Sequence, residues 1–190
     1  TPTAQSEMKT IANSGSSFAS LVLALTLAFI APAARAEDFL KTFDKSMDYL
    51  KLDYVDLLAL HGINNRQHLE WSLKKGGCVE AARKLQREGR ARHIGFSTHA
   101  TTDIIVDAVK SKEFDYVNLH WYFVNDLNWA AIPEARKRDM GVFIISPNDK
   151  GGKLYEPTEK VKALCAPLTP MQFNDLYCLA RPEVHTLSLG

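Results

Sequence analysis

Neither sign of charge predominates in this 190-residue chain, which has 23 basic and 22 acidic residues and a formal net charge of +1. Binding to nucleic acid usually requires a basic excess, so the composition predicts no nucleic-acid partner.

Cysteine is also scarce. The chain has three, an odd number, and no two of them have C-x-x-C spacing. We therefore expect Cys78, Cys165 and Cys178 to be reduced thiols.

Several signatures of catalysis and of phosphate binding are missing as well. The chain has no G-x-S-x-G elbow of a serine hydrolase, no Walker G-x-x-x-x-G-K-[ST] loop and no G-x-G-x-x-G fingerprint. Histidines at His93, His99 and His120 fall near predicted strand ends, but no carboxylate pattern accompanies them. The sequence therefore predicts no metal site.

Residues 1–36 differ in composition from the rest of the chain. A lysine follows Met8, an apolar run covers 18–30, and the segment ends in Ala-Arg-Ala. This is the layout of a secretory signal peptide, and the run is shorter than the roughly 20 residues of a membrane-spanning helix. We predict a signal-peptide-like segment over 1–36, in which 8–36 would direct export and cleavage would leave no membrane attachment. The alternatives are a buried helix and a wrongly joined start.

From residue 37 onward, the apolar pattern alternates between strands and helices. Strands are predicted at 54–60, 90–97, 114–123, 140–145 and 184–190. Helices are predicted at 37–52, 65–89 with a break at the paired glycines 76 and 77, 102–110, 129–138, 158–165 and 171–180. The last helix is expected to turn Phe173, Leu176, Tyr177 and Ala180 inward. This alternation indicates βα units, and therefore an α/β fold with about five parallel strands and outer helices.

Parallel sheets carry functional groups at the carboxyl ends of their strands. The first apolar strand ends at His61, which is suited to acid–base chemistry, to donating a hydrogen bond to a carbonyl oxygen, or only to closing a strand. The residues alone leave these roles open. The loop 148–153 contains paired glycines and two lysines, a composition that can hold phosphate through backbone N–H groups and charge.

Four stretches occur in an order that resembles the aldo-keto reductases. They are LDYVDLLALH at 52–61, GRARHIGFST at 89–98, FDYVN at 114–118 and GVFIISP at 141–147. They resemble strands four to eight of that family, and the likeness extends from about residue 38 to residue 190. The resemblance implies a partial (β/α)8 TIM barrel over 37–190. It also implies a cytoplasmic oxidoreductase that reduces small carbonyl or aldehyde substrates by hydride transfer from NADP(H).

The resemblance also assigns roles to residues at the strand tips. His61 matches the histidine that orients the carbonyl group, and is the predicted catalytic residue. Ser97 and Thr98 match the pair that holds the nicotinamide carboxamide, and Asn118 lies at or next to the polar residue that does so from the following strand. The predicted cofactor-binding residues all lie at strand tips or in the loop after the fourth strand: Ser97, Thr98, Asn118, Ser146, Pro147, Gly151, Gly152, Lys153, Ser188 and Gly190.

The chain departs from the family pattern at several places. Thr98 stands where asparagine is common, and Ile145 stands where many members have an aromatic ring. The family's catalytic aspartate, tyrosine and lysine have no counterpart, because residues 1–36 stand in their place. The chain also ends before the segment that grips the adenosine 2′-phosphate. We therefore expect a truncated reductase that is inactive alone; the alternative is a non-catalytic half-barrel or pseudoenzyme. Its open barrel edges would favour self-association.

Overall fold

The computed structural model describes residues 35–148 and 153–189, in which strands and helices alternate. The strands are β1 (Val55–Leu60), β2 (Ala91–Ser97), β3 (Tyr116–Leu119), β4 (Gly141–Ile145) and β5 (Thr186–Ser188). The helices are α1 (Ala36–Leu50), α2 (Arg66–Leu73), α3 (Cys78–Arg87), α4 (Thr102–Lys110), α5 (Ala131–Lys137), α6 (Glu159–Cys165) and α7 (Pro170–Leu179). Nearly all of the predicted signal-peptide-like segment lies outside the described residues.

The five strands form one parallel sheet in the order β1-β2-β3-β4-β5. Since chain order and sheet order coincide, right-handed crossovers place the helices on one face of the sheet. This is the arrangement of part of a (β/α)8 barrel, so the predicted fold class is confirmed. Within the described ranges, β1 and β5 each pair with a single neighbour.

Strand register sorts the side chains into two faces. The face that packs on the helices is apolar and buried: Leu58, Leu60, Ile94, Phe96, Val117, Leu119, Val142 and Ile144. Helix α1 supplies Phe39, Phe43 and Met47 to the same core at helical spacing. On the opposite face, four residues lie side by side across β1 to β4, and Tyr116 is the only large one: Ala59, Gly95, Tyr116 and Gly141. Two residues further along, the row becomes polar on β2 and β3, at Ser97 and Asn118, whereas on β4 it continues with the apolar Phe143.

Gly95 makes room for the ring of Tyr116. A Cβ at Gly95 would lie 2.5 Å from three ring atoms of Tyr116, so the ring lies directly against the β2 backbone. The phenol is fully buried, and within the described part of the chain its hydroxyl has no hydrogen-bond partner. Burial accordingly raises the pKa of Tyr116 well above its ordinary value.

Several predicted boundaries need correction. The predicted strand 114–123 is shorter, because Tyr122 and Asn125 exchange two backbone hydrogen bonds of 2.9 and 2.8 Å and turn the chain after Leu119. The predicted strand 184–190 reduces to Thr186–Ser188. The break at residues 76 and 77 is confirmed, and all three cysteines are buried.

The predicted inward face of α7 is wrong for Leu176, which is 56% exposed, and for Ala180, which is exposed. The helix instead buries Asn174 and Cys178. Phe173 and Tyr177 are half-buried and contact the ring of Phe123.

Replacing Gly95 by alanine tests the contact with Tyr116. Because the new methyl group would overlap the ring, we expect a loss of about 1–3 kcal/mol in the free energy of unfolding, as is typical of overpacking. Urea denaturation measures this loss. In the Tyr116→Leu background the same substitution should cost less, since the ring is gone. Strictly additive losses would show that the two residues do not interact.

Candidate active site at the strand carboxyl ends

His61 and Ser97 meet at the carboxyl ends of β1 and β2. The Ser97 Oγ lies 2.8 Å from the His61 Nδ1 and accepts a hydrogen bond from the Gly62 N–H at 3.2 Å. His61 is exposed, whereas Ser97 is buried. The predicted catalytic histidine therefore has one ring nitrogen held by a predicted cofactor-binding residue.

The turn after β1 is fixed against the tip of β2. Gly62 has a φ of +83°, a left-handed conformation that glycine adopts without strain. The N–H groups of Gly62 and Ile63 both donate to the Ser97 carbonyl, at 3.1 and 3.0 Å. The carbonyl of Gly62 lies 3.0 Å from the His68 Nδ1 on α2. These bonds hold the backbone directly after His61 in place, so the position from which the His61 side chain extends is defined.

Thr98 and Asn118 lie in different environments. The Thr98 hydroxyl donates to the Ile63 carbonyl at 2.6 Å and accepts from the Ala100 N–H at 3.0 Å, so it closes the turn after β2. Asn118 pairs with Ser97 in the β2–β3 register and is 2% exposed. Its Oδ1 is buried and has no hydrogen-bond partner among the described residues. A buried acceptor of this kind is suited to a ligand N–H group.

Ser146 and Ser188 adjoin at the tips of β4 and β5, where the Ser146 N–H donates to the Ser188 carbonyl at 3.2 Å. Ser146 has a φ of +50°, which turns the chain sharply out of the strand into buried Pro147. Lys153 is exposed where the described chain resumes. Gly151, Gly152 and Gly190 lie outside the described residues, so the structure does not place them.

The structure thus brings together two groups of predicted residues. His61, Ser97 and Asn118 share one face and one level of β1–β3. Ser146, Pro147 and Ser188 lie at the tips of β4 and β5. Since β3 and β4 are neighbours, the two groups lie at the same edge of the sheet, although Phe143 stands opposite Asn118 in the register.

Comparison with known proteins agrees with this geometry. The model of the aldo/keto reductase family matches residues 19–155. The chain belongs to the aldo/keto reductase family. The match starts inside the segment 1–36 that the sequence analysis places outside the family, so that boundary stays a prediction.

Individual relatives give the same result. L-galactose dehydrogenase of Arabidopsis thaliana is 32% identical over 117 residues, which are 59% of this chain and 35% of the plant protein. An aldo-keto reductase of Bacillus halodurans in its holo form has a TM-score of 0.65 at 20% identity, covering 84% of this chain and 55% of that one. A Klebsiella pneumoniae aldo/keto reductase in complex with NADP and acetate has a TM-score of 0.60 at 18% identity, with 84% and 56% coverage. The chain spans about a third to a half of these proteins.

No group of three or more metal-ligating side chains is found in the described ranges. None of the helices found there is long and apolar enough to cross a bilayer.

A pocket of about 450 Å³ opens beside the stacked rings of His99 and His120, whose centroids are 4.3 Å apart. At its rim, Asn128 donates to the His120 carbonyl at 3.0 Å.

The sequence analysis missed Asn174, which is fully buried on α7 behind the strand tips. Its Nδ2 donates to the Pro147 carbonyl at 2.7 Å, and its Oδ1 accepts from the Phe123 N–H at 3.1 Å. The only available signal was an asparagine within an otherwise apolar helix face. One turn later, the Cys178 thiol donates to the Trp121 carbonyl at 3.6 Å.

Two ionisable groups on α7 have shifted pKa values. Burial, with the nearby Asp175, raises the pKa of the Cys178 thiol to about 12, so the thiol keeps its proton and remains a donor. Burial also raises the pKa of the Asp175 carboxyl. One of its oxygens, Oδ1, is buried without a hydrogen-bond partner in the described chain.

The hydrogen bond from Ser97 should set the tautomer of His61. We predict that the Ser97 hydroxyl, which accepts from Gly62, donates its own hydrogen to the His61 Nδ1 and so leaves the ring proton on Nε2. Long-range ¹H–¹⁵N NMR correlation of the neutral ring should show the Nε2–H form. In Ser97→Ala its fraction should fall. A wild-type ring protonated on Nδ1 would contradict this assignment.

Asp175 should destabilise the fold at neutral pH. Its folded-state pKa lies above the unfolded value, so protonation favours folding at low pH and that contribution is lost as the pH rises through the folded-state pKa. Asp175→Asn should therefore raise the melting temperature at pH 7 and raise it less near about pH 3, where the carboxyl is protonated in both states. Asp48→Asn, at an exposed position on α1, is the control and should show no such difference. An equal effect of Asp175→Asn at both pH values would contradict the prediction.

Proposed function

We propose that this chain carries the carbonyl-orienting and nicotinamide-binding residues of an NADP(H)-dependent carbonyl reductase. The observation that carries the proposal is the row His61, Ser97, Asn118 on one face at the strand carboxyl ends. Family membership supports the oxidoreductase class, and one structural neighbour was determined in complex with NADP.

The residues present fit the nicotinamide end of such a coenzyme. A carboxamide offers an NH2 donor and a carbonyl acceptor. The buried Asn118 Oδ1, without a partner in the described residues, is a matching acceptor for that NH2 group. Ser97 lies beside it in the β2–β3 register. Thr98 fits less directly, since both hydrogen bonds of its hydroxyl close the adjacent turn.

The coenzyme supplies the hydride when it is bound. His61 then donates from Nε2 to the carbonyl oxygen of the substrate, because Ser97 occupies its other nitrogen. Such a donor stabilises the negative charge that develops on that oxygen during reduction. Ser146 turns the chain at the tip of β4 so that Pro147 and Asn148 lie beside the same edge.

A second candidate is a non-catalytic half-barrel. It is favoured by the five strands of the described chain, since an eight-stranded barrel needs three more to close. The stretches that resemble the family include His61 but no counterpart of the acid tyrosine, aspartate or lysine. In this case β1 and β5, each paired on one side only in the described residues, would favour pairing with another chain. Size-exclusion chromatography would then show a dimer or larger species.

The two candidates also differ in the cellular compartment that suits them. Reduction with NADPH suits the cytoplasm, where that coenzyme is supplied. Export directed by 8–36 would separate the chain from it and would favour the non-catalytic candidate.

Coenzyme binding and turnover separate the two candidates. NADPH fluorescence should detect binding by the 190-residue chain, and Asn118→Leu should weaken it by about tenfold because the acceptor is removed. His61→Ala should keep the affinity within about twofold, and if the wild-type chain reduces an aromatic aldehyde, the substitution should lower that rate by about 10²-fold or more.

Asn128→Leu is the matched control for Asn118→Leu. It also removes an amide near the tip of β3, but a half-buried one that faces the His120 carbonyl and α4. It should leave NADPH affinity unchanged. Absence of binding by the wild-type chain would overturn the proposed function. Binding without aldehyde turnover would support the non-catalytic candidate.

A further inference from the structure

Asn174 connects two loops that are distant in sequence. It is 0% exposed on α7, and its side-chain amide contacts backbone groups on both sides. Towards β4 it donates to the Pro147 carbonyl at 2.7 Å. Towards β3 it accepts from the Phe123 N–H at 3.1 Å. One amide therefore joins the segment that leaves β4 to the segment that follows β3.

The backbone partners fix the orientation of this amide. The Pro147 carbonyl can only accept and the Phe123 N–H can only donate, so exchanging the oxygen and nitrogen of Asn174 would lose both bonds. A buried asparagine in a helix is costly unless it is fully bonded. Here both ends have partners, and the side chain satisfies two backbone groups that β3 and β4 leave unpaired beyond their ends.

The segment that Asn174 holds is conformationally unusual. Ser146, directly before Pro147, has a left-handed φ of +50° that a residue with a side chain rarely adopts. Such strain persists where surrounding contacts hold it in place. The bond from Asn174 to the next carbonyl and the Ser146–Ser188 backbone bond are two such contacts.

We propose that Asn174 is a positioning residue for the coenzyme. It holds Ser146–Asn148 in the conformation that presents the start of the β4 loop to the ligand. We call the two hydrogen bonds of Asn174, to Pro147 and from Phe123, the brace. The identity of the ligand rests on the proposed function, whereas the brace does not. Asn174 touches neither coenzyme nor substrate, and acts through Pro147.

Two substitutions separate the two arms of the brace. Asn174→Asp keeps an acceptor for the Phe123 N–H and replaces the donor to Pro147 by a carboxylate oxygen. Asn174→Ala removes both bonds. In hydrogen exchange of the 190-residue chain, both variants should exchange faster at the Ser146 and Leu154 amides, which are hydrogen-bonded in the structure. Only Asn174→Ala should also lose protection at the Phe123 amide.

NADPH affinity reports the consequence for binding. Both variants should weaken it by about tenfold, the effect of about one hydrogen bond, while exchange at the β1 and β2 tips stays as in the wild type. Asn128→Leu, which removes a half-buried amide that joins the β3 loop to α4, should lower thermal stability without this loss of affinity. A loss of affinity that simply follows melting temperature across all three variants would overturn the positioning role.

Failure of this inference differs from failure of the proposed function. If wild type binds NADPH and Asn174→Asp binds equally well with unchanged exchange at the Ser146 and Leu154 amides, the positioning role is overturned and the proposed function stands. If wild type binds no NADPH, the proposed function fails, and with it the role towards the coenzyme. An unprotected Phe123 amide in the wild-type chain overturns the brace without any variant.

Discussion

The parallel register of the five strands is the constraint on which the remaining structure depends. It sets Ala59, Gly95 and Tyr116 side by side, and one step later it sets His61 against Ser97 and Asn118. A shift of one residue in any strand would exchange its two faces and put apolar side chains where the polar row lies. The large ring of Tyr116 against Gly95 makes such a shift costly, because a residue with a Cβ would not fit beneath it.

The sequence predicted this part of the fold well, for identifiable reasons. The strands around 54–60, 90–97 and 140–145 are apolar runs of ordinary length bounded by polar or glycine residues, and such patterns survive in almost any environment. Because parallel strands bring their carboxyl ends together, the sequence alone predicts that His61, Ser97 and Asn118 lie at one edge of the sheet. The contact between the His61 Nδ1 and the Ser97 Oγ follows from the turn at Gly62, whose geometry a pattern of residue types does not specify.

The errors fall where specific polar contacts, one local and two long-range, override the preference that the apolar pattern indicates. Residues 120–123 have strong β propensity, yet the chain turns there because Tyr122 bonds to Asn125 across a tight reversal. Helix α7 was expected to bury its large apolar residues, yet Leu176 is exposed and Asn174 is buried. The two backbone partners of Asn174 are 27 and 51 positions away in sequence. A periodicity that counts only apolar residues contains no information about such partners.

The two polar groups of the strand edge differ in how they are held, and this difference bears on function. His61, Ser97 and Asn118 are fixed by strand pairing and by a turn bonded to the β2 tip, so their spacing belongs to the sheet itself. Ser146 and Pro147 leave the sheet in a strained conformation, and a side chain from α7 holds them. Under the proposed function, carbonyl orientation would therefore depend on the register of β1 and β2. Coenzyme binding would depend in addition on the packing of α7, whose rings contact Phe123. Loosening α7 should thus impair binding before it disturbs the position of His61.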